Sequence, residues 1–155
     1  MLDEISLKIL KILQKKARIP NVEVARQIDM APSAVLERIR KLEQKGFIDG
    51  YEVRLNPEKF KRNLVAFITI VTSTQETVML TGKRLTALPE IQEVHHITGE
   101  DGFLVKARVS DVTELGGLIQ DKILKIDGII KTHTAIAMST FKETARIPID
   151  MHGVI

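Results

Sequence analysis

Apolar residues recur at helical spacing in two segments near the start of the chain. The stripe of the first segment consists of Ile5, Ile9, Ile12 and Leu13. Asp3 precedes this stripe and can accept a hydrogen bond from the first turn, so it is the predicted N-cap. After a break at Ile19-Pro20, Asn21 is the predicted cap of a second helix. The inward side of that helix consists of Val24, Ala25 and Ile28.

A third helix is predicted from Pro32 to about Lys45, after the very short turn "DMA". Pro32 suits the first helical position, and Gly46 supplies the left-handed residue that commonly ends a helix. The residues expected to face a core are Val35, Leu36, Ile39 and Leu42. Two helices joined by so short a turn, the second of them basic, are typical of the helix-turn-helix arrangement.

The other sides of the third helix carry a positive stripe, because Arg38, Lys41 and Lys45 follow one another at spacings of three and four residues. If this helix enters a major groove, its N-terminal residues meet base edges and flanking cations meet phosphates. The predicted DNA-binding residues are Ser33, Ala34, Glu37, Arg38, Lys41 and Lys45. The alternative is an amphipathic surface helix in a three-helix bundle, which requires no DNA.

The pattern changes between residues 47 and 62. The stretch "FIDGYEVRLNP" predicts a short wing-like hairpin that turns at Asp49-Gly50, and the polar run "NPEKFKRN" marks a boundary. We therefore predict a DNA-binding domain over residues 1–50, a hairpin strand and linker over 51–62, and a second domain over 63–155.

Strand and helix patterns alternate from residue 63 onward. Strands are predicted in "LVAFITIVTS", "IQEVHHITG", "FLVKARV" and "IIKTHTAIAMST". Helices are predicted in "QETVMLTGKRLTAL", which Pro89 ends, and from about Val112 to Ile126. The order β-α-β-β-α-β is that of ferredoxin-like domains, so the predicted class is α+β. Both helices then cover one face of the sheet, and the uncovered apolar face predicts dimerisation.

Composition and charge narrow the class of protein. The chain is 44% apolar and 28% charged, and its longest apolar run, about residues 64–71, is far short of the roughly 20 residues that span a bilayer. Asp3 and Glu4 stand where a signal peptide would be basic, so we predict a cytoplasmic protein. Residues 1–60 carry 12 Lys plus Arg against 9 Asp plus Glu, whereas residues 61–155 carry 11 of each. The excess of positive charge in the first domain predicts an anionic partner there.

Catalytic chemistry has little support in the sequence. Cysteine is absent, which excludes disulfides, thiolate zinc sites and thiol nucleophiles. His95 and His96 are adjacent on a predicted strand and therefore point to opposite faces. His133 matches His95 in a short pseudo-repeat, "PEIQEVH" and "DGIIKTH", so we expect the two near each other across the sheet. No phosphate-binding glycine loop, metalloprotease helix or nucleophile elbow is present, so no catalytic residue, metal or cofactor is predicted.

The turn between the second and third strands has groups that suit a zwitterionic ligand. Its predicted effector-binding residues are Thr98, Gly99, Glu100, Asp101 and Gly102. The glycines permit backbone conformations that turn N–H groups toward a carboxylate, and Glu100 or Asp101 suits an ammonium group. A plain Asp-Gly hairpin turn, which needs no ligand, is the alternative.

Three stretches together resemble the leucine-responsive regulator / asparagine regulator (Lrp/AsnC) family from Leu2 to about Pro148. They are "LDEISLKILKILQKKARI", "RIRKLEQKGFIDGYEV" and "ITGEDGFLVKARV". The resemblance implies a transcription factor that pairs a winged helix-turn-helix with a ligand-sensing ferredoxin-like domain. It also implies partners: double-stranded DNA, an amino acid or related small molecule, and further copies of the chain in dimers that assemble to octamers.

The chain departs from the family pattern at two places. Ala31 stands where family members often have a Ser or Thr cap for the third helix. In the sensing loop, the family's Asp aligns with Gly102, and the acid has moved one place to Asp101.

Two alternatives to a sensing regulator remain open. Sirohaem decarboxylases resemble this family, and an enzyme of that kind would draw on His95, His96, His133 and Arg108. An architectural protein would wrap DNA through oligomers without binding a ligand. The basic third helix favours the sensing regulator and the architectural protein over the enzyme.

Overall fold

The computed structural model describes residues 2–73, 78–99 and 102–149. They form two compact units, one comprising the chain up to Arg54 and the segment from Glu143 onward, the other Leu55–Lys142. Residues 143–149, which we expected in the second domain, thus group with the N-terminal helices. Within the described ranges, every helix is too short or too polar to cross a membrane.

Three helices build the first unit: α1 (Glu4–Lys15), α2 (Asn21–Ile28) and α3 (Pro32–Gln44). The cap of α1 is confirmed, because the Ser6 backbone N–H donates to Asp3 Oδ1 at 2.9 Å. The cap predicted for α2 is wrong by one residue, since Asn21 is already helical. Pro20 is the N-cap instead. Its carbonyl accepts from the N–H groups of Glu23 and Val24, and no side chain caps the helix.

The core of the helical unit draws on all three helices. Its buried side chains are Ile9, Leu13, Val24, Ala25, Val35, Ile39 and Leu42. Leu36 was expected in this core but is 37% exposed. At about 100° per residue, Val35, Ile39 and Leu42 cluster on one side of α3, and Leu36 falls beyond the edge of that side.

The predicted hairpin at Asp49-Gly50 does not form within the described chain. The N–H groups of Phe47 and Ile48 both donate to the Leu42 carbonyl, so the residues before the predicted turn cap the C-terminus of α3. Gly46 has φ 71°, which confirms the predicted stop, but Asp49 and Gly50 lack the positive φ that a tight hairpin turn requires. Residues 49–56 join no strand, and Pro57–Phe60 forms a single 3-10 turn.

The second unit is a four-stranded antiparallel sheet with helices, as predicted. Its elements are β1 (Leu64–Thr72), α4 (Val78–Thr86), β2 (Ile91–His96), β3 (Phe103–Val109), α5 (Val112–Gly117) and β4 (Ile129–Ile136). The strand order is β2-β3-β1-β4. The helix expected over residues 112–126 is irregular, because a π-helical turn (Leu118–Lys122) and a 3-10 turn (Ile123–Lys125) follow α5.

One face of the sheet forms the core of the second unit. Its buried side chains include Ile68 and Ile70 of β1, Val105 of β3, Leu85 of α4 and Leu115 of α5. Both helical segments therefore pack on the same face, as the β-α-β-β-α-β order requires. The opposite face, which we call the open face, carries Phe67, whose side chain is 41% exposed, and neither helical segment of this unit packs on it.

Candidate DNA-binding face and effector loop

The short turn between α2 and α3 holds α3 as the second helix of a helix-turn-helix. Asp29 is left-handed, with φ 55°, and the Met30 N–H donates to the Ala25 carbonyl at 3.0 Å, so the chain changes direction within residues 29–31. Val35 and Ile39 fix which side of α3 is buried. In this arrangement the opposite, polar side is the one that enters a major groove.

Four of the six predicted DNA-binding residues have exposed side chains on α3 or at its end: Ser33, Glu37, Lys41 and Lys45. Ala34 is half-buried. Lys41 Nζ lies 3.6 Å from Glu37 Oε1, one turn away. Such an exposed pair is weakly held, so Lys41 can exchange its carboxylate partner for a phosphate. The Glu37 carboxylate repels phosphates and suits only a base donor such as a cytosine amino group.

Arg38 contacts α1 through two hydrogen bonds. Its Nη1 donates to Asp3 Oδ2 at 2.6 Å and to Ser6 Oγ at 3.3 Å, and its side chain is only 31% exposed. Hydrogen bonds from Ser6, together with the Arg38 guanidinium, lower the pKa of Asp3 to about 2. One carboxylate therefore caps α1 and anchors α3. A DNA contact by Arg38 stays a prediction, and it requires this guanidinium to leave or share Asp3.

The polar side of α3 also includes Arg40 and Gln44, which the sequence analysis did not single out. Both are exposed, and Arg40 has no ion pair or hydrogen bond within the described part of the chain. At about 100° per residue, Arg40, Gln44 and Ser33 lie on one line along the helix, opposite the buried side. The seven-residue spacing of Ser33 and Arg40 is the sequence signal for this line, whereas the predicted stripe of Arg38, Lys41 and Lys45 lies at its flank.

The candidate effector loop connects β2 to β3. Thr98 and Gly99 are exposed, and Gly99 has φ 111°, a conformation that glycine adopts most readily. Glu100 and Asp101, the predicted partners of an ammonium group, lie outside the described residues. The Ile97 N–H donates to the Gly102 carbonyl at 3.2 Å, so the two ends of the loop are fastened together.

Gly102 has a structural role that differs from the one we expected. Its N–H donates to the Ile70 carbonyl at 2.8 Å, so this donor is not available to a ligand carboxylate. A Cβ placed on Gly102 would lie 2.6 Å from Thr72 Oγ1 and 2.9 Å from Thr72 Cγ2. The residue is therefore glycine because β1 approaches it closely.

The histidines of the sheet do not converge. His95 pairs with Leu104, Leu104 with Thr69, and Thr69 with His133, so one row crosses all four strands. His95 and His133 share this row at opposite edges, about 14 Å apart by strand spacing, and the expected proximity is wrong. In the described residues, no three His, Cys, Asp or Glu side chains are arranged to hold a metal ion.

Polar residues on the open face partner each other. Lys106 is 9% exposed and donates from Nζ to Glu93 Oε1 at 3.0 Å. This hydrogen bond is the main reason why the pKa of Glu93 lies below its ordinary value. His95 lies 3.4 Å from the same carboxylate. His95 therefore lies beside a carboxylate that already pairs with Lys106 on the same face of the sheet.

Both units match known protein families. Residues 2–49 match a winged helix-turn-helix DNA-binding family, and residues 65–147 match the Lrp/AsnC ligand binding domain. The leucine-responsive regulatory proteins of Klebsiella pneumoniae and Escherichia coli K12 are each 35% identical over 150 residues, which cover 96% of this chain and 92% of theirs.

Solved structures of similar proteins share the fold. A Neisseria meningitidis transcriptional regulator in complex with L-Met has a TM-score of 0.90 and 27% identity, covering 96% of this chain and 97% of that one. The feast or famine regulatory protein of Mycobacterium tuberculosis, complexed with L-methionine, has a TM-score of 0.87 and 27% identity over 95% and 99% of the two chains. Escherichia coli AsnC has a TM-score of 0.87 and 25% identity over 96% and 99%.

Fold and site together define a transcriptional regulator with a helix-turn-helix DNA-binding domain and an α+β ligand-binding domain. The chain belongs to the Lrp/AsnC family. This confirms the resemblance found in the sequence, the fold class and the regulatory function. Because the relatives are named as transcriptional regulators, the protein is a regulator and not an enzyme of the sirohaem decarboxylase kind.

Proposed function

We propose that this regulator contacts operator DNA through the polar side of α3 and changes its DNA binding in response to an amino acid. The observation that carries the DNA half is the exposure of that side: Ser33, Glu37 and Lys41 are accessible, while Val35 and Ile39 hold the helix in place. We include Ala34, Arg38 and Lys45 among the proposed DNA-binding residues, at the flank of this side. Arg40 is added to them, because it is an exposed cation on the line of Ser33, Arg40 and Gln44 opposite the buried side of α3.

The effector half of the proposal uses the loop between β2 and β3. Thr98, Gly99, Glu100, Asp101 and Gly102 form the proposed site, in which Gly102 shapes the loop and the acids hold an ammonium group. Since two structurally similar regulators were solved with methionine, methionine is the first effector to test.

Assembly is part of the same proposal. The open face of the sheet, with Phe67 partly exposed and a row of residues across four strands, supports a homodimer formed through this face. A two-fold dimer presents two α3 helices to one duplex, which matches a palindromic site. We further propose assembly of dimers to an octamer, on family resemblance, and action in the cytoplasm.

Fluorescence anisotropy tests the proposal with DNA from upstream of the regulator's own gene and random DNA as the control. Titrations at two salt concentrations, with and without methionine and then a pool of amino acids, separate binding from sensing. We expect salt-dependent binding that prefers the upstream DNA and shifts with an amino acid. Equal binding to random DNA would indicate an architectural protein, and no binding at low salt would refute the DNA proposal.

Arg40→Ala tests, in the same anisotropy assay, whether the polar side of α3 contacts DNA bases. If Arg40 contacts a base, the variant loses roughly 1–3 kcal/mol on the preferred DNA and little on random DNA. Lys83→Ala, which removes an exposed cation from α4 in the other unit, is the matched control and should leave affinity nearly unchanged. Equal losses on both DNAs would reduce Arg40 to a phosphate contact.

Asp101→Ala tests the effector site. We expect it to abolish the response to the amino acid while dimers, measured by sedimentation, persist. An unchanged response would remove Asp101 from the ligand site without affecting the DNA proposal.

A further inference from the structure

Glu37 occupies the middle of the polar side of α3. The buried residues of this helix are Val35, Ile39 and Leu42. At about 100° per residue, Glu37 lies within about 15° of the direction opposite to their average. Its side chain is 58% exposed, and it belongs to the N-terminal half of the helix, the half that meets base edges in a major groove. We therefore expect an acid where α3 comes closest to the bases.

Cations flank Glu37 on both sides of the helix. By the same geometry Arg40 is about 60° to one side, and Lys41 and Lys45 are about 40° and 80° to the other. All three have exposed side chains. A major groove has a matching cross-section, because negatively charged phosphates border it on both sides and base edges form its floor. The order cation, acid, cation therefore fits a groove in which Glu37 faces the floor and the cations face toward the two walls.

The carboxylate of Glu37 is held only weakly within the described chain. Lys41 Nζ lies 3.6 Å from Oε1, which is too long for a good hydrogen bond, and both side chains are mostly exposed. A glutamate one turn before a lysine also stabilises a helix slightly, so a purely structural pair is the alternative. An acid brought against DNA is repelled by the phosphates unless a donor on the DNA meets it. Binding through this side of α3 therefore requires a hydrogen-bond donor opposite Glu37.

Cytosine is the base whose major-groove edge fits a carboxylate best. It presents the N4 amino donor and no acceptor, whereas guanine presents N7 and O6, thymine presents O4, and adenine presents N7 beside its amino group. A carboxylate can only accept, so the acceptors of the other three bases repel it.

We propose that Glu37 is a specificity-determining residue that selects a cytosine in each half-site of the operator. The inference rests on the proposed function, since it requires α3 to enter the major groove, and it adds the identity of one base.

Selection from a pool of DNA duplexes with a randomised central segment tests the inference with the full-length regulator. The native protein should enrich sites that have a cytosine at one fixed position of each half-site. Glu37→Ala should still bind DNA but lose the preference at that position, because no acceptor faces the base. Glu37→Gln should prefer adenine there, since a glutamine amide can pair with both N6 and N7 of adenine.

Glu4→Gln is the matched control for the loss of charge. Glu4 is an exposed acid of the same unit, and it forms the same kind of pair with Lys8, one turn later in α1, at 2.7 Å. Both glutamine variants remove one negative charge, so both should bind random DNA somewhat more tightly. Only Glu37→Gln should change the preferred base.

A change of one base pair measures the contact directly by fluorescence anisotropy. Replacing the selected cytosine by thymine presents an acceptor to Glu37 and should weaken native binding by roughly 5- to 150-fold, the usual cost of a mismatched base pair. The same replacement should hardly change the affinity of Glu37→Ala. Lys41→Ala should weaken binding to all sequences and keep the cytosine preference, because it removes a phosphate contact and not the acceptor.

The possible results have different consequences. A cytosine preference that disappears in Glu37→Ala and moves to adenine in Glu37→Gln supports the inference. A cytosine preference that persists in Glu37→Ala, or a preference for another base that depends on Glu37, overturns the inference and leaves the proposed DNA binding intact. If the native protein enriches no sequence at all, sequence-specific binding is overturned together with it. Circular dichroism of each variant shows whether a lost preference is a loss of fold.

Discussion

Gly102 shows how one residue in the effector loop is fixed by packing. Its missing Cβ leaves space for Thr72, and its N–H is bonded to Ile70. The sequence made Gly102 a candidate for ligand binding because glycine permits unusual backbone conformations. The structure assigns it a close contact with β1 instead, which a pattern of residues along one strand cannot reveal.

Gly102→Ala should destabilise the second unit by roughly 1–3 kcal/mol, because the added methyl overlaps the Thr72 side chain. Urea unfolding measures the loss. Gly116→Ala is the matched control, since a Cβ there meets nothing within 4 Å and the residue is helical. Thr72→Ala should recover part of the loss in the double variant. A Gly102→Ala protein as stable as the control would refute the close contact.

Asp3 joins the N-terminus of α1 to α3 through Arg38. Because the pKa of Asp3 is about 2 in the folded chain and its usual value is 3.8, the carboxylate stabilises the fold above about pH 4. That contribution is lost as pH falls from about 4 through about 2. The direction follows from the lowered pKa, since the unfolded chain then binds the proton more tightly.

Asp3→Asn keeps an oxygen for the cap but removes the charge that Arg38 pairs with. The pair is partly exposed, so we expect a loss of only roughly 0.2–1 kcal/mol at neutral pH. Chemical unfolding at several pH values should show that the difference in free energy of unfolding between Asp3→Asn and the native chain becomes smaller below about pH 4. Asp49→Asn removes an exposed charge from the linker and is the control. A gap that stays constant to pH 2 would contradict the assignment.

At the level of elements, α3 begins without a side-chain cap. Ala31 occupies the N-cap position in extended conformation, with φ −69° and ψ 138°, and no side chain accepts a hydrogen bond from the first turn. Pro32 partly compensates, because it has no N–H to satisfy and its φ suits the first helical residue. The missing cap, noted in the sequence as a departure from the family, leaves α3 less stable than it could be.

Ala31→Ser should stabilise the helical unit by about 1 kcal/mol, because the hydroxyl can accept from a first-turn N–H without a change of backbone. Thermal unfolding provides the measurement. Ala31→Val changes the size of the side chain without offering an acceptor and should bring no gain. If the serine variant is no more stable than the valine variant, capping is not the limiting feature of α3.

At the level of the whole chain, the segment after β4 returns to the helical unit. Gln14 exchanges two hydrogen bonds with the Ile147 backbone: its Nε2 donates to the carbonyl at 3.1 Å, and the Ile147 N–H donates to Oε1 at 2.9 Å. Arg146 adds a bond to the Lys15 carbonyl at 3.3 Å. The helical unit is therefore built from both ends of the sequence.

Gln14→Ala should destabilise the helical unit by roughly 0.5–1.5 kcal/mol, the net value of exposed or partly exposed hydrogen bonds. Truncation after Lys142 should cause a loss at least as large, since it removes the same contacts. Urea unfolding followed by helical circular dichroism reports the effect, with Gln44→Ala as the exposed glutamine control. Unfolding that does not distinguish Gln14→Ala from Gln44→Ala would show that the tail adds no stability.

The sequence by itself determined the class of fold, the element order and the family. Helical and strand periods are local properties, so the stripe of α1, the stop at Gly46 and the β-α-β-β-α-β order could be predicted from residues a few positions apart. The exposed residues Ser33, Lys41 and Lys45 followed from the same periodicity. Leu36 was wrongly predicted to be buried, because the helical period of a short segment does not define where the buried side of the helix ends.

Only the tertiary structure decided which distant groups meet. The Arg38–Asp3 bond joins residues far apart in sequence, Gly102 is fixed by its contact with β1, and the tail is fixed by Gln14. The predicted hairpin at Asp49-Gly50 fails to form in the described chain for the same reason. Phe47 and Ile48, which would belong to its first strand, hydrogen-bond to the Leu42 carbonyl at the end of α3 instead. Such contacts depend on the packing of elements against one another, and no local pattern of residues encodes that packing directly.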